Sequence, residues 1–343
     1  MTAADGGAGR RRVGLAFLVL GTAALVLWRL MVGREVDDGG RIVVTLGWPE
    51  AAALTLRMTA TWSALLAGAA LGLSGLAFQV LLRNPLASPW ILGISSGAGF
   101  GMMLALALVQ LGGIAAGLGQ GLLWGAGLPS AALGALLALA LVAMLARAMG
   151  GFDPVGLVLG GVIVGAIFGA GTMLLQYTVP SGVRGDLIGW MMGRIPEIVP
   201  GWLLVVGGIL VLASLGAGLF GRRMLDAACL GEDEARSVGV PIDGLRIGLF
   251  LVGGGLAAFS VVLVGPIAFI GLLGPHAARL LGGPTHGRLI PTTAVCGGSL
   301  LLAAEAIRQM IDLGWGRLPV GVVTVLIGGP AFLWLLLRRR SVL

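Results

Sequence analysis

The residues that could do chemistry are few, and they lie inside or at the ends of apolar runs. His276 follows Gly274-Pro275 in one such run, while Glu305 and Arg308 stand three residues apart and so share one helical face. We expect His276 to bond a backbone carbonyl that the proline leaves without its amide partner. Glu305 and Arg308 form either a local ion pair near the external surface or a contact for an external partner, and the sequence leaves both open.

The pattern of an enzyme or a metal protein does not accompany them. No serine, cysteine or histidine stands beside a partner that would make it a nucleophile. Cys229 and Cys296 are isolated, and each is expected to be a small buried side chain. With 2 histidines in the chain, a histidine-rich metal site is excluded and no metal is expected. All 22 basic residues are arginine, and a phosphate-binding P-loop requires lysine, so we expect no ATP site and no cofactor in this chain.

Composition predicts a membrane protein. Hydrophobic residues make up 57% of the chain and charged residues 11%, and the mean hydropathy is +1.02. So few charges cannot cover a water-soluble surface. The apolar runs are about twenty residues long, which favours spanning helices over the shorter strands of a barrel. The 62 glycines suit closely packed membrane helices, and the net charge of +7, spread as arginines at span ends, does not indicate a nucleic-acid partner.

These runs predict an all-α polytopic membrane protein, a single domain over residues 1–343 with about ten spans. The predicted spans are residues 13–31, 61–82, 90–111, 129–149, 155–179, 200–220, 244–264, 267–282, 291–311 and 319–340. Residues 112–128 are either a re-entrant piece or a loop. Most of the arginines lie inside if the N-terminus is cytoplasmic, so the positive-inside rule predicts that both termini, the tail 1–12 and the loop 221–243 are cytoplasmic.

A tight turn and a stripe of glycines mark the second and third predicted spans. The apolar run ends at Arg83, and Asn84 and Pro85 suit a turn because asparagine bonds its own backbone and proline has a fixed φ. Small residues then recur at four-residue spacing, at Gly93, Gly97 and Gly101. On a helix this spacing gives a flat face against which another backbone can pack.

Two further features favour a transport protein. Prolines fall in or at apolar runs, at Pro266, Pro275, Pro319 and Pro330, and the last is expected to interrupt the tenth span. Interrupted helices expose backbone groups, which is tolerable only inside protein or beside a water-filled path. The acidic stretch 230–240 is either a solvated loop or a helix pair that inserts into a soluble partner.

Together these stretches closely resemble the signature of the FecCD/BtuC-type permeases, the membrane subunits of ABC importers for iron–siderophores, haem and cobalamin. The resemblance covers residues 57–340 in the family's order. It is carried by Ser74-Gly75, Arg83-Asn84-Pro85-Leu86-Ala87 and Gly93-Ile94-Ser95-Ser96-Gly97, by Leu230-Gly231-Glu232 with Ala235 and Val238-Gly239, by Gly265-Pro266 with Pro275-His276, and by Leu318-Pro319 with Gly328 and Pro330.

The resemblance implies a ten-helix subunit that forms a homodimer around a central translocation path. It further implies two ATPase subunits that bind ATP and magnesium, and an extracytoplasmic protein that delivers the substrate. Coupling to the ATPase is implied for Leu230, Gly231, Glu232, Ala235, Val238 and Gly239. The path or its cytoplasmic gate is implied for Asp153, Pro154, Val155, Met173, Gln176 and Tyr177.

Two departures from the family pattern affect docking of the delivery protein. The family often has Arg-Leu-Pro-Arg before the second span, whereas here Arg57 is followed by Met58-Thr59-Ala60. The family often has glutamate before the Leu-Pro of the tenth span, whereas here the residue is Arg317. We therefore expect the delivery protein to dock at Arg57, Arg308 and Arg317, in an arrangement that differs from the family's.

The resulting hypothesis is a cell-membrane permease subunit of an ATP-driven importer for a metal chelate, first a ferric siderophore and next haem or cobalamin. Two alternatives remain. An ion-coupled secondary transporter would need titratable groups at mid-membrane, where only His276 offers itself. An intramembrane enzyme would use His276 and Glu305, but it lacks a nucleophile. Neither alternative needs an ATPase.

Overall fold

A computed structural model describes residues 2–36, 42–111, 127–179, 181–311 and 318–340. Its helices are α1 (Thr2–Met31), α2 (Ala51–Leu81), α3 (Ile94–Leu111), α4 (Leu128–Ala148), α5 (Pro154–Gln176), α6 (Ser181–Met191), α7 (Gly201–Phe220), α8 (Arg222–Ala228), α9 (Glu232–Ser237), α10 (Ile242–Val264), α11 (Ile270–Gly282), α12 (His286–Met310) and α13 (Val320–Arg340). A 3₁₀ helix, Pro89–Leu92, precedes α3. The prediction for residues 112–128 falls almost wholly outside the described residues, as does Arg317.

The prediction of a helical membrane protein is confirmed, and the number of helices is roughly consistent with ten spans. In the described part of the chain, 7 helices are long and apolar enough to cross a membrane: α1 from Val13, α2, α4, α5, α7, α10 and α12. The apolar parts of α3 and α13 are shorter, at Ile94–Val109 and Val320–Trp334. Helix α11 has 13 residues, so at about 1.5 Å per residue it is shorter than the hydrocarbon core of a bilayer. These ten helices correspond to the ten predicted spans.

The structure adds one element that the sequence pattern did not predict. Strands β1 (Val32–Val36) and β2 (Ile42–Leu46) follow α1 and pair antiparallel, with Val32 opposite Leu46. The predicted polar segment after the first span is therefore partly a hairpin. Its apolar positions are too few for a clear alternating pattern, which is why the segment read as a loop.

Several predicted helix limits are wrong, chiefly at prolines. Pro275 lies inside α11 and Pro330 inside α13, and neither helix is interrupted. A proline removes one backbone hydrogen bond, whereas a broken helix would leave several backbone N–H and C=O groups in lipid without a hydrogen-bond partner. Gly328 does not break the helix but leaves room for Phe269, because a Cβ at position 328 would lie 2.5 Å from Cβ of Phe269. The break expected at Pro266 is present, because α10 ends at Val264.

Helix starts also differ from the predictions. Helix α1 begins within the predicted tail, at Thr2, and α2 begins at Ala51, so the mildly amphipathic stretch before residue 61 continues the second span. Helix α12 starts at His286, before the predicted start at residue 291, and Pro291 lies inside it as the sixth residue, where the missing amide leaves the carbonyl of Gly287 without its usual helical donor.

The chain divides into two compact units, each described here by itself. Unit 1 comprises residues 1–73, 194–223 and 267–343. At its centre the backbones of α2, α11 and α12 approach closely at three glycines. A Cβ added to Gly72 would lie 2.9 Å from the carbonyl oxygen of Thr293, and one added to Gly274 would lie 3.4 Å from Cα of Gly297. At Gly72 any side chain would force the helices apart, whereas the contact at Gly274 is at ordinary van der Waals distance.

Unit 2 comprises residues 74–193 and 224–266. The close packing expected of its glycine stripe is present, with one correction. Gly93 does not belong to α3; it ends the 3₁₀ helix with φ +69° and faces α5, where a Cβ would lie 2.9 Å from N of Gly165. Gly97 and Gly101 face α4, and a Cβ on either would collide with the carbonyl oxygen of Gly134 or Ser130. The stripe therefore packs against two helices.

The glycine contacts predict a specific loss of stability. Gly297→Ala should lower the free energy of unfolding by about 1–3 kcal/mol, because the added methyl overpacks α12 against α2. The measurement is thermal unfolding of the detergent-solubilised protein. Gly208→Ala in α7 is the matched control: a Cβ there meets nothing within 4 Å, so the melting temperature should stay the same or rise slightly. Equal melting temperatures for the two variants would contradict this account.

Candidate functional site

The predicted coupling loop, residues 221–243, folds into the short helices α8 and α9 between α7 and α10. Helix α9 turns Ala235 inward, where it packs with Val240 and Ile242. Its flanks face outward, with Leu230 77% and Val238 69% exposed. Two large apolar side chains therefore stand exposed among the charged residues of this loop. Stretch 230–240 therefore contains helix α9, with α8 just before it, and is not only a loop; insertion of this pair into a soluble partner stays a prediction.

The end of α9 is fixed by a Schellman motif. Gly239 has φ +84°, and its amide donates to the carbonyl of Arg236 at 3.0 Å. The amide of Val240 donates to the carbonyl of Ala235, also at 3.0 Å. This pair of bonds satisfies carbonyls that the helix end would leave open, and it needs a residue that tolerates positive φ. The positive φ of this motif thus explains why a glycine stands at position 239 of the signature.

Glu232 points into the protein and binds three arginines, which we call the Glu232 cluster. Its Oε1 accepts from Nη2 of Arg236 at 2.9 Å, and its Oε2 accepts from Nη2 of Arg246 at 2.9 Å. Nη1 of Arg83 lies 3.7 Å from the same Oε2. The hydrogen bond from Arg236, with the nearby positive charges, lowers the pKa of Glu232 below its ordinary value of 4.5. The cluster therefore ties α9 to α10 and to the turn after α2.

That turn forms as predicted. Oδ1 of Asn84 accepts from the amide of Leu86 at 2.9 Å, which makes an Asx turn, and the amide of Ala87 donates to the carbonyl of Asn84 at 3.0 Å. Arg83 has φ +48°, the left-handed region, which costs about 1–2 kcal/mol for a residue with a side chain. This backbone conformation occurs where the guanidinium of Arg83 approaches Glu232.

The predicted path and gate residues lie at the two ends of α5. Asp153 caps the helix, with Oδ2 accepting from the amides of Val155 and Gly156 at 2.9 Å, and Pro154 occupies the first turn. Val155 is 74% exposed. At the far end, about 27 Å along the axis, Met173 and Tyr177 are exposed and Gln176 is half-buried. The structure therefore separates the gate residues from the lining residues.

The arginines expected at the docking surface are placed differently from the prediction. Arg308 is 4% exposed; its Nε and Nη2 bind both carboxylate oxygens of Glu305, at 2.7 and 2.5 Å. The ion pair is present as predicted, and Arg308 is buried in the protein together with Glu305, so its charge is not on an exposed surface. Arg57 is half-buried, and its Nη1 donates to the carbonyl of Leu30 at 2.7 Å.

Sequence reasoning missed two members of this group. Arg29 is 1% exposed, and its Nη2 lies 3.7 Å from both Glu305 and Glu197. We call Arg29, Glu197, Glu305 and Arg308 the α1–α12 charge cluster. An arginine at the end of an otherwise apolar span was a usable signal, because a charge there needs a partner. Glu305 is fully engaged by arginines, so it does not offer the base that the enzyme alternative needs, and His276 lies half-buried within α11.

Comparison with known proteins gives consistent results. A model of the FecCD transport family matches residues 18–338. The chain is 34% identical, over 99% of its length, to the iron(3+)-hydroxamate import system permease protein FhuB of Salmonella typhimurium, and spans 48% of that protein. It is 38% identical, over 83% of its length, to the vitamin B12 import system permease protein BtuC of Klebsiella pneumoniae, and covers 82% of that protein.

A solved structure is also similar. It is described as an inward-facing conformation of a metal-chelate type ABC transporter. The TM-score is 0.78 at 27% identity, and the match covers 95% of this chain and 99% of the other. Similarity over nearly all of both chains indicates the same arrangement of helices.

The Glu232 cluster predicts a local effect on α9. Glu232→Gln should speed hydrogen exchange of the α9 amides up to about fivefold at neutral pH, because partly exposed ion pairs contribute up to about 1 kcal/mol. The variant Asp233→Asn changes an exposed acid one residue away; it is the control and should leave exchange unchanged.

The effect should also depend on pH. Because the pKa of Glu232 is lowered, the stability that its ion pairs contribute is present above pH 4.5 and is lost as the pH falls through the lowered pKa. Wild type and Glu232→Gln should therefore converge in acid; a difference that persists there would contradict the assignment.

Proposed function

The chain belongs to the FecCD transport family and has the fold of ABC importer permeases, and from this premise we propose that it is the permease subunit of an ATP-driven importer of a metal chelate. The observation that carries the proposal is the α8–α9 surface. It combines exposed Leu230 and Val238 with a rigid attachment through the Glu232 cluster. A rigid helix with apolar flanks is suited to insert into a groove on a partner and to transmit movement.

The proposed partner beneath this surface is a pair of ATPase subunits. The chain has no lysine and hence no P-loop lysine of its own, so ATP and magnesium would bind on a separate chain. Glu232 then has a positioning role, since its carboxylate is turned to arginines of its own chain. We place α8 and α9 and both termini on the cytoplasmic side, in line with the arginine distribution.

The proposed path runs between two copies of the chain. The exposed face of α5 would line it, from Val155 at the cytoplasmic end to Met173 and Tyr177 at the outer end. These side chains are mainly apolar and carry no strong recognition chemistry, so selection of the substrate falls to an extracytoplasmic binding protein. Arg57 and Arg317 remain the proposed docking arginines, while Arg308 has an internal role.

The proposed substrate is a ferric siderophore, with haem or cobalamin as the next choices. Relatives named as permeases for iron(3+)-hydroxamate and for vitamin B12 support a metal-chelate substrate. The chain would perform no covalent chemistry. Binding of ATP to the partner subunits would draw the two coupling loops together and switch the side from which the path is open.

Uptake in proteoliposomes tests this function directly. The purified chain, its cognate ATPase and its binding protein are reconstituted, and uptake of a ferric hydroxamate and of cobalamin is measured with and without ATP. We expect uptake of one chelate to require both ATP and the ATPase. Uptake that proceeds equally well without them would overturn the ABC assignment and favour an ion-coupled transporter.

Copurification with the ATPase tests the coupling surface. Glu232→Arg, or deletion of residues 231–239, should lower ATPase recovery at least several-fold, because a fourth positive charge in the Glu232 cluster displaces α9. Leu230→Asp leaves the cluster intact and should also lower recovery by placing a charge in the contact. Glu50→Arg, a reversal at an exposed acid outside the coupling loop, is the control. Undiminished recovery with all three coupling-loop changes would refute the surface.

A further inference from the structure

Several helix ends of unit 1 lie together where the apolar part of α1 begins. A Cβ added to Gly14 would lie 3.3 Å from Cδ2 of Leu281, so this part of α1 packs against the end of α11. A Cβ added to Gly287, at the start of α12, would lie 3.2 Å from Cδ of Arg222, so the junction of α7 and α8 lies beside α12. Helix α12 leads away from this end and α13 leads back to it.

The sequence segments at this end of unit 1 are strongly basic. Residues 1–12, 222–223, 279–290 and 335–343 contain ten arginines and one acid, Asp5. These arginines, which we call the unit 1 basic group, are Arg10, Arg11, Arg12, Arg222, Arg223, Arg279, Arg288, Arg338, Arg339 and Arg340. The segments of unit 2 that the arginine distribution places on the same side of the membrane, residues 83–88, 147–153 and 224–246, contain four arginines and six acids. The excess of positive charge on this side therefore belongs to unit 1.

Three members of this group have no counter-charge of their own. Arg222, Arg223 and Arg288 are exposed, and in the part of the chain that the structure describes none of them has a carboxylate within ion-pair distance. Nη1 of Arg222 donates to the neutral carbonyl of Leu219 at 3.4 Å. The first turn of α12, which contains Arg288, has no acidic residue. Like charges gathered at one end of a protein repel one another, so a negative surface beside them is favourable.

Exposed apolar side chains directly adjoin the unit 1 basic group. Val13 and Phe17 follow its first three arginines on α1 and are exposed. Leu280 and Leu337, each next to an arginine of the group, are exposed at the ends of α11 and α13. Positive charge at the end of an apolar span lies at the depth of the lipid headgroups, and the apolar side chains lie beside the acyl chains. A soluble anion would use the charges alone, whereas a phospholipid would use both features.

We propose that the unit 1 basic group binds anionic phospholipids, with the headgroup phosphate at the arginines and the acyl chains on the exposed side chains of α1, α11 and α13. Guanidinium groups bind phosphate oxygens in a bidentate manner. Arg222 and Arg288 are the members placed to share one headgroup, because Gly287 between them leaves room for the stem of Arg222 against α12. Bound lipid would fasten these helix ends of unit 1 to the leaflet. The proposal does not depend on the transport function.

Lipid retention by the purified full chain tests the proposal without any partner protein. The chain in detergent is equilibrated with equimolar phosphatidylglycerol and phosphatidylcholine of the same acyl chains, and the lipids that stay bound after gel filtration are quantified by mass spectrometry. We expect phosphatidylglycerol to be enriched about fivefold or more. Raising sodium chloride from about 0.1 to 1 M should remove most of the enrichment, because the Debye length falls from about 10 to 3 Å.

Two outcomes with the wild-type chain would overturn the proposal. Equal retention of the two lipids would show that the charge of the headgroup is not recognised. Complete displacement of phosphatidylglycerol by an excess of inorganic phosphate, at constant ionic strength, would assign the arginines to a soluble anion, since the apolar contacts would then contribute nothing.

Paired substitutions localise the bound lipid. Arg222→Gln combined with Arg288→Gln should lower the enrichment at least about threefold, because two charges near the headgroup are lost. Arg222→Lys combined with Arg288→Lys keeps both charges and should keep most of the enrichment. Arg147→Gln is the control and should change nothing, since Arg147 is an exposed arginine of unit 2 that lies over the ring of Phe152. An equal loss in the glutamine and lysine pairs, or undiminished enrichment in the glutamine pair, would overturn the proposal.

Discussion

Close contact between helix backbones at small residues is the constraint on which both units depend. In lipid, an apolar side chain gains little by moving from an acyl chain to another apolar surface, so helices associate mainly through short-range packing. The meeting of α2, α11 and α12 at Gly72, Gly274 and Gly297, and of α3 with α4 at Gly97 and Gly134, supplies that packing. Each contact fixes the register of its helices, because a slip of one residue replaces a glycine with a side chain.

Two clusters of charged residues fasten helix ends. The Glu232 cluster holds α9 against α10 and the turn after α2, and the α1–α12 charge cluster holds the end of α1 against α12. Both clusters join segments that are far apart in sequence, and in both a carboxylate is shared by several arginines. A charge that faces hydrocarbon is costly, and these clusters give their buried acids and bases partners of opposite charge.

The polar contacts of the coupling loop fix the orientation of a surface that faces outward. Leu230 and Val238 are exposed on either side of α9. This helix is capped at its end by the Schellman motif and is held at its start by the ion pairs of Glu232. A helix that is fixed to the rest of its unit would pass on the movement of a partner more directly than an unattached loop. This is the physical link between the α8–α9 fold and the proposed coupling.

The sequence by itself determined the helical membrane class and the turn at Asn84, and it offered the Glu305–Arg308 pair as one of two possibilities, because each depends on residues within a few positions of one another. It could not predict the unbroken helices at Pro275 and Pro330, the hairpin after α1, or the inward orientation of Glu232. Those depend on partners distant in the chain: Arg83 and Arg246 for Glu232, Phe269 for Gly328, and Gly33 and Leu30 for Arg57. Only the tertiary structure decides them, since the energy of a buried charge or a close backbone contact belongs to the pair of segments and to neither segment alone.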